Sequence, residues 1–179
     1  MTYRVCFVCT GNICRSPMAE SVFRARVAEA GLDGLVEVDS AGTGDWHAGE
    51  SADPRAVSVL EENGYAVAHT ARVFERSWFE HLDLVIALDS GHLRALRRLA
   101  PTDEDARKVR LLRSYAPPSP GRPSSRAAHA PAGPAGDDLD VPDPYYGSRD
   151  GFEECLEMVE EASDGLLAAV REHVEGRGV

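Results

Sequence analysis

The sequence is short of positive charge: 19 Lys and Arg stand against 30 Asp and Glu, for a formal net charge of −11 over 179 residues. General nucleic-acid binding needs a basic face to displace phosphate counterions, so that class is disfavoured. Lysine is nearly absent, with Lys108 alone, and the arginine bias points to a G+C-rich bacterial gene. No run approaches the roughly 18 apolar residues of a membrane helix. The N-terminus shows no basic stretch followed by an apolar run and a small-residue cleavage site, so a signal peptide is not expected. Cysteine is scarce and badly spaced for a disulfide framework: Cys6, Cys9 and Cys14 crowd near the start and Cys155 lies far away. Reduced thiols and a cytoplasmic location are therefore expected. No Gly-Lys-Ser/Thr follows the first glycine and no Gly-x-Gly-x-x-Gly follows the first apolar run, which argues against nucleotide and dinucleotide sites. No clustered His, Asp and Glu residues suggest a metal, so neither metal nor cofactor is expected.

What is present reads as one domain over residues 1–179, with enough apolar content (43%) to bury a core. Tyr3–Val8, Val36–Ser40, Leu82–Leu88 and Val109–Leu112 read as strands. Helices are expected from Met18 to about Ala30, from Asp53-Pro54 to Asn63-Gly64, from about Gly91 to Leu99, and from about Gly151 to Val174. The last carries Phe152, Leu156, Val159, Leu166 and Val170 near one face. This alternation predicts an α/β three-layer sandwich, a central four-stranded parallel sheet with helices on both faces. Ala116–Gly136 breaks the pattern, being mostly Pro, Ser, Gly and Ala with only Arg122 and Arg126 charged. Residues 116–137 are therefore expected to form a flexible surface insertion; Ser119-Pro120 and its neighbours leave a regulatory reading open.

The chemistry concentrates at the first strand-to-helix junction, Cys9-Thr10-Gly11-Asn12-Ile13-Cys14-Arg15-Ser16-Pro17. A helix N-terminus presents unpaired N–H groups and a partial positive charge, a ready anion site. A loop containing Gly11 can turn successive N–H groups toward phosphate oxygens, and Arg15 adds a planar two-pronged donor. The reactive form of a cysteine is the thiolate, which an electropositive cradle favours. Ser16 can donate a hydrogen bond to the Cys9 sulfur.

On these residues the chain resembles the low-molecular-weight protein tyrosine phosphatase family. Asp143-Pro144-Tyr145-Tyr146-Gly147 matches a second family motif, and Asp39-Ser40-Ala41-Gly42-Thr43 with Trp46 resembles a third. The resemblance spans nearly the whole chain apart from the insertion. It implies Cys9 as nucleophile, Arg15 as phosphate clamp and Asp143 as general acid. It also implies substrate contacts from Thr10, Gly11, Asn12, Ile13, Cys14, Ser16, Trp46, Tyr145 and Tyr146, with Asn12 and Ser40 holding the loop in shape. The implied substrate is a tyrosine-phosphorylated protein or a small aryl phosphate, with no nucleic-acid or membrane partner, acted on by a monomer or weak homodimer.

His69 is either a core histidine or, by resemblance, a hydrogen-bond partner of the Asn12 region. Cys14 either packs at the helix start or protects Cys9 from oxidation, and the resemblance favours the second. Cys6 and Cys155 read as core residues; His47, His81, His92, His129 and His173 read as solvated. Two other functions compete. A thiol-dependent arsenate reductase would need two further cysteines close together, and none occurs between Arg15 and Glu154. A non-catalytic phosphotyrosine-binding module would be expected to have lost Cys9, Arg15 or Asp143.

Overall fold

The computed structural model describes residues 2–116 and 139–177. Four parallel strands form one sheet: β1 (Tyr3–Cys9), β2 (Val36–Gly42), β3 (Leu84–Ala87) and β4 (Val109–Leu111), in the order β2-β1-β3-β4. Among the described residues five helices connect or follow them: α1 (Arg15–Glu29), α2 (Pro54–Glu62), α3 (Ser90–Leu99), α4 (Asp103–Arg107) and α5 (Arg149–Arg177). The expected architecture is present. The expected insertion at 116–137 lies outside the described residues, Ala116 apart.

Why β3 and most of β1 read as apolar runs is plain from the two faces of the sheet. Val5, Phe7 and Cys9 of β1 point into a core with Val36, Val38, Leu84 and Ile86, covered by α1, α2 and α5. Cys6 and Val8 point the other way, onto Val85, Ala87, Val109 and Leu111, covered by Leu96 of α3 and by Phe74 and Phe79. The central part of the parallel sheet is buried on both sides and is apolar, whereas the edge strands β2 and β4 keep exposed polar positions at Glu37, Asp39 and Arg110. The apolar stripe on α5 is the one expected, and all five of its residues are buried.

Four local features depart from expectation. Helix α1 starts at Arg15 rather than Met18, which puts Arg15 and Ser16 in its first turn. Ala41 and Gly42 extend β2 beyond Ser40. Helix α4 was not expected; it is only five residues long, its start fixed by the Thr102 hydroxyl accepting from the Asp105 N–H. Two 3-10 turns were not expected either, Arg76–Glu80 and Leu112–Tyr115, the second starting at Leu112, which was read as the end of the fourth strand.

The sheet order places the site. Connections leave β1 toward β2 on one side, while β3 lies on the other, and ligands bind in α/β sheets where the strand order reverses. The loops after β1 and β3 open there side by side.

Candidate active site

Residues Cys9–Arg15 join β1 to α1 as a tight loop resting on the end of β2. Thr43 N–H donates to the Cys9 carbonyl (2.8 Å) and Gly44 N–H to that of Thr10 (3.1 Å). This approach depends on Gly42: a Cβ there would sit 2.7 Å from the Thr10 carbonyl oxygen. Asn12, at φ 60°, is the one non-glycine among the described residues in the left-handed region, which asparagine tolerates better than most residues.

Asn12 is fully buried, and its amide sets the direction of a polar network. Its Oδ1 accepts from the Arg72 N–H (3.0 Å), so its Nδ2 faces inward and donates to Ser16 Oγ (2.8 Å) and Ser40 Oγ (3.0 Å). Each hydroxyl is thereby left to pass its own proton onward. Ser40 donates to Glu20 Oε1 (2.5 Å), and Ser16 Oγ lies 2.9 Å from Cys9 Sγ. The Ser16 N–H also points at that sulfur, at 3.4 Å. His69 Nε2 donates to the Asn12 carbonyl (2.6 Å), the second of its two expected alternatives. Burial works against an ionised Glu20, but hydrogen bonds from His69 and Ser40 outweigh it and hold the carboxyl below its usual range.

Arg15 is buried at the base of the site. Its Nη1 donates to Asp89 Oδ2 (2.8 Å) and the Val141 carbonyl (2.9 Å), while Nη2 reaches Thr10 Oγ1 (3.4 Å) and lies 3.6 Å from Asp143 Oδ2. Burial opposes its charge, yet Cys9, Asp89 and Asp143 together favour the guanidinium more strongly. Asp89 caps α3 through the His92 N–H (2.8 Å). Its carboxyl lies below the usual range because that hydrogen bond, His92 and Arg15 overcome burial.

These groups meet in a cavity of about 470 Å³ lined by Cys9, Thr10, Gly11, Ile13, Cys14, Arg15, Trp46, His47, Asp143, Tyr145 and Tyr146. Asp143 is 42% exposed on its side chain, and its Oδ1 accepts from the Tyr145 N–H (3.1 Å). Trp46 and Tyr146 stand at the rim, 69% and 91% exposed, so both offer open aromatic faces. Asn12, Ser16, Ser40 and His69 are absent from the cavity wall; their side chains support the loop from behind.

Two histidines expected to be solvated are part of the site. His47 lines the cavity and packs over Gly11, where a Cβ would come within 2.8 Å of its ring. His92 is buried, its Nε2 2.8 Å from Thr10 Oγ1, and burial pushes its pKa down to about 4. Its Nδ1 lies 3.1 Å from Asp89 Oδ1 without hydrogen-bond geometry. His81 and His173 are exposed, as expected, and His129 lies outside the described residues. All four cysteines are free and buried. Burial, with Asp53 nearby, pushes the Cys14 thiol well up, and burial pushes Cys155 up to about 12. Sequence reasoning passed over Asp89 and Arg55, which join the site only through long-range contacts. Among the described residues no cluster of His, Cys, Asp and Glu could hold a metal ion, and no helix is long and apolar enough to cross a membrane.

A cysteine at the floor of a helix-capped loop, with a buried arginine and a carboxylate above it, defines a class: proteins built around a phosphate-sized oxyanion. The comparisons make it specific. A family model described as low molecular weight phosphotyrosine protein phosphatase matches residues 4–125 and 128–176, and the chain belongs to that family. A low molecular weight protein-tyrosine-phosphatase of Streptomyces coelicolor is 71% identical over 177 residues, covering 99% of each chain. A solved protein tyrosine phosphatase of Entamoeba histolytica has a TM-score of 0.83 at 29% identity, covering 96% of this chain and 99% of its own. A Drosophila structure described as an arginine phosphatase has a TM-score of 0.77 at 29% identity, covering 93% and 96%.

Proposed function

We propose that this chain is a cytoplasmic protein tyrosine phosphatase. It hydrolyses phosphotyrosine and small aryl phosphate monoesters through a phospho-cysteine intermediate, as a single domain that is a monomer or weak homodimer. The observation that carries the reading is the convergence of Cys9, Arg15 and Asp143 in one aromatic-rimmed cavity. The Cys9 thiolate attacks phosphorus, forming an S–P bond as the bond to the aryl oxygen breaks. Asp143 gives its proton to the departing oxygen. Arg15 and the loop N–H groups neutralise the equatorial oxygens as charge redistributes. Water then attacks phosphorus, Asp143 takes up its proton, and the S–P bond breaks to release inorganic phosphate.

The cavity wall supports an aryl leaving group. Ile13, Trp46, Tyr145 and Tyr146 offer apolar and aromatic surface suited to a phenyl ring. A phosphorylated guanidine would call for acceptors along the wall, where Asp143 is the one carboxylate among the described residues. An arsenate reductase would pass a disulfide outward, and four buried cysteines weigh against that. A binding-only module is disfavoured because nucleophile, clamp and acid are all retained.

The test is turnover of phosphotyrosine, phosphoserine and phosphoarginine side by side, in wild type and in Cys9→Ser. Phosphotyrosine is expected to be the preferred substrate. The serine variant is expected to bind phosphate while losing essentially all turnover, because a hydroxyl is not the activated nucleophile. Retention of more than a few percent of activity would sink the covalent mechanism.

A further inference from the structure

Asp143 sits on an irregular segment between Leu139 and Ser148, half exposed, yet proton transfer needs placement to within about an ångström. On its N-terminal side the segment is held by several partners. Asp140 accepts from the Ser90 N–H (2.8 Å), Val141 N–H donates to the Leu88 carbonyl (2.8 Å), and Arg113 and Arg15 donate to the carbonyls of Asp140 and Val141. On its C-terminal side the tie runs through Arg55 of α2, whose Nη2 donates to the Tyr145 carbonyl (3.0 Å) and Nη1 to that of Gly147 (3.2 Å).

Arg55 is itself held to the phosphate loop. Its Nε and Nη2 donate to the Asp53 carboxylate (3.1 and 2.9 Å), and the Asp53 N–H donates to the carbonyl of Ile13 (2.8 Å). The guanidinium stacks over Phe152 of α5 at 4.6 Å and over Tyr145 at 5.6 Å. A continuous chain therefore runs from Ile13 through Asp53 and Arg55 to Tyr145, whose N–H holds Asp143 Oδ1. A planar fork is needed for this, because an ammonium cannot bond Asp53 and two carbonyls at fixed angles.

We propose that Arg55 is a positioning residue for the acid: with Asp53 as its anchor, it sets Asp143 at the correct distance from the loop that holds phosphorus. The proposal rests on the reading of Asp143 as general acid, and one experiment separates the two. kcat/KM is measured for aryl phosphates spanning weakly to strongly basic leaving groups, in wild type, Asp143→Asn, Arg55→Gln, Arg55→Lys and the Arg55→Gln/Asp143→Asn double variant. Asp143→Asn steepens the dependence on leaving-group basicity because no proton is supplied.

Arg55→Gln is expected to steepen it in the same sense: about tenfold loss with an unactivated phenol, at most about threefold with a nitrophenol, a fraction of the full acid effect. In the double variant the Arg55 effect should largely vanish, since the acid it serves is gone. Arg55→Lys should recover little of the loss, and thermal unfolding of each variant is read beside its kinetics. Equal losses on all leaving groups, or losses that persist in full without Asp143, overturn the proposal while leaving the acid assignment standing. A flat profile in Asp143→Asn overturns the acid assignment and the proposal with it. Should Arg55→Gln fail to fold, the slope in Arg55→Lys decides in the same way.

Discussion

Asn12 is where the loop's shape and the nucleophile's surroundings are set by one side chain. Because both Nδ2 protons go to serine oxygens, the Ser16 hydroxyl is left free to donate to Cys9. Replacing the amide by a carboxylate would reverse that direction. In Asn12→Asp the hydroxyls of Ser16 and Ser40 turn to donate to the new acid, and Cys9 Sγ loses a donor. Asn12→Gly keeps the left-handed backbone without strain and leaves the serines to water or to each other. The expected order of kcat/KM is therefore wild type, then Asn12→Gly, then Asn12→Asp. The first step should cost about five- to tenfold, matching the loss of one net hydrogen bond of about 1–1.5 kcal/mol. A turnover assay on a small aryl phosphate gives the order, and an Asn12→Asp as active as Asn12→Gly would contradict the assigned direction.

Cys14 allows a second residue-scale prediction. Peroxide converts the Cys9 thiolate to a sulfenic acid, and condensation with the Cys14 thiol would release water and leave a disulfide that a dithiol reverses. Burial and Asp53 hold Cys14 as a thiol, so trapping should be slow near neutral pH and quicken as pH rises. Recovery of activity by dithiol after a timed peroxide pulse should be poorer in Cys14→Ser than in wild type. Equal recovery would assign Cys14 to packing alone.

At the scale of elements, the acid segment is tied to the folded body on both of its sides. Its anchors are Leu88, Ser90 and Arg113 on one side and Arg55 on the other. A third tie, from Arg149 at the start of α5, reaches Ser58 (3.0 Å) and Glu62 (2.6 Å) of α2. Tyr146 is almost wholly exposed and touches this segment only by an edge-on ring contact with Tyr145 (4.9 Å), so the tie to the body runs through Tyr145 and Arg55. Replacing residues 117–138 by a Gly-Ser linker of equal length should therefore leave turnover of a small aryl phosphate within about threefold, since the acid segment has its own anchors and the length of chain between its fixed ends is kept. A loss of tenfold or more would show that the segment supports the acid.

The same contrast explains what could be read beforehand. Long elements with both faces or one stripe buried, such as β1 and α5, announce themselves by pattern. Five-residue α4 carries no apolar periodicity at all. Within the site, Cys9, Arg15 and Ser16 were legible because seven residues bring them together. The bonds of Arg15 to Asp89 and of Arg55 to Tyr145 cross 74 and 90 residues, and pattern carries no distance of that kind. His92 shows the cost most clearly: a lone histidine after Asp-Ser-Gly reads as solvated, and only the crossing of α3 behind the phosphate loop buries it.

For the whole molecule, the ionisable groups gathered at the C-terminal ends of β1 and β3 make stability depend on pH in two stages. His92 comes first. Burial holds its folded value at about 4, below the ordinary 6.5, against the opposing pull of Asp89. Between those values the unfolded chain binds more protons than the folded one, so stability rises with pH across the window and is lost as pH falls through it. The loss should reach about 2 kcal/mol near pH 5 and roughly 3 kcal/mol once the folded ring is itself protonated. Glu20, Asp53 and Asp89 come second, all with folded values below the ordinary 4.5 or 3.8, because hydrogen bonds and cations outweigh their burial. Their contribution is complete above the ordinary carboxylate range and is lost as pH falls through the depressed values. Urea midpoints near pH 7 and pH 5 should differ clearly in wild type and much less in His92→Gln, whose side chain can still bond Thr10 but cannot take up a proton. A wild-type fall that survives undiminished in His92→Gln would place the acid-sensitive group elsewhere.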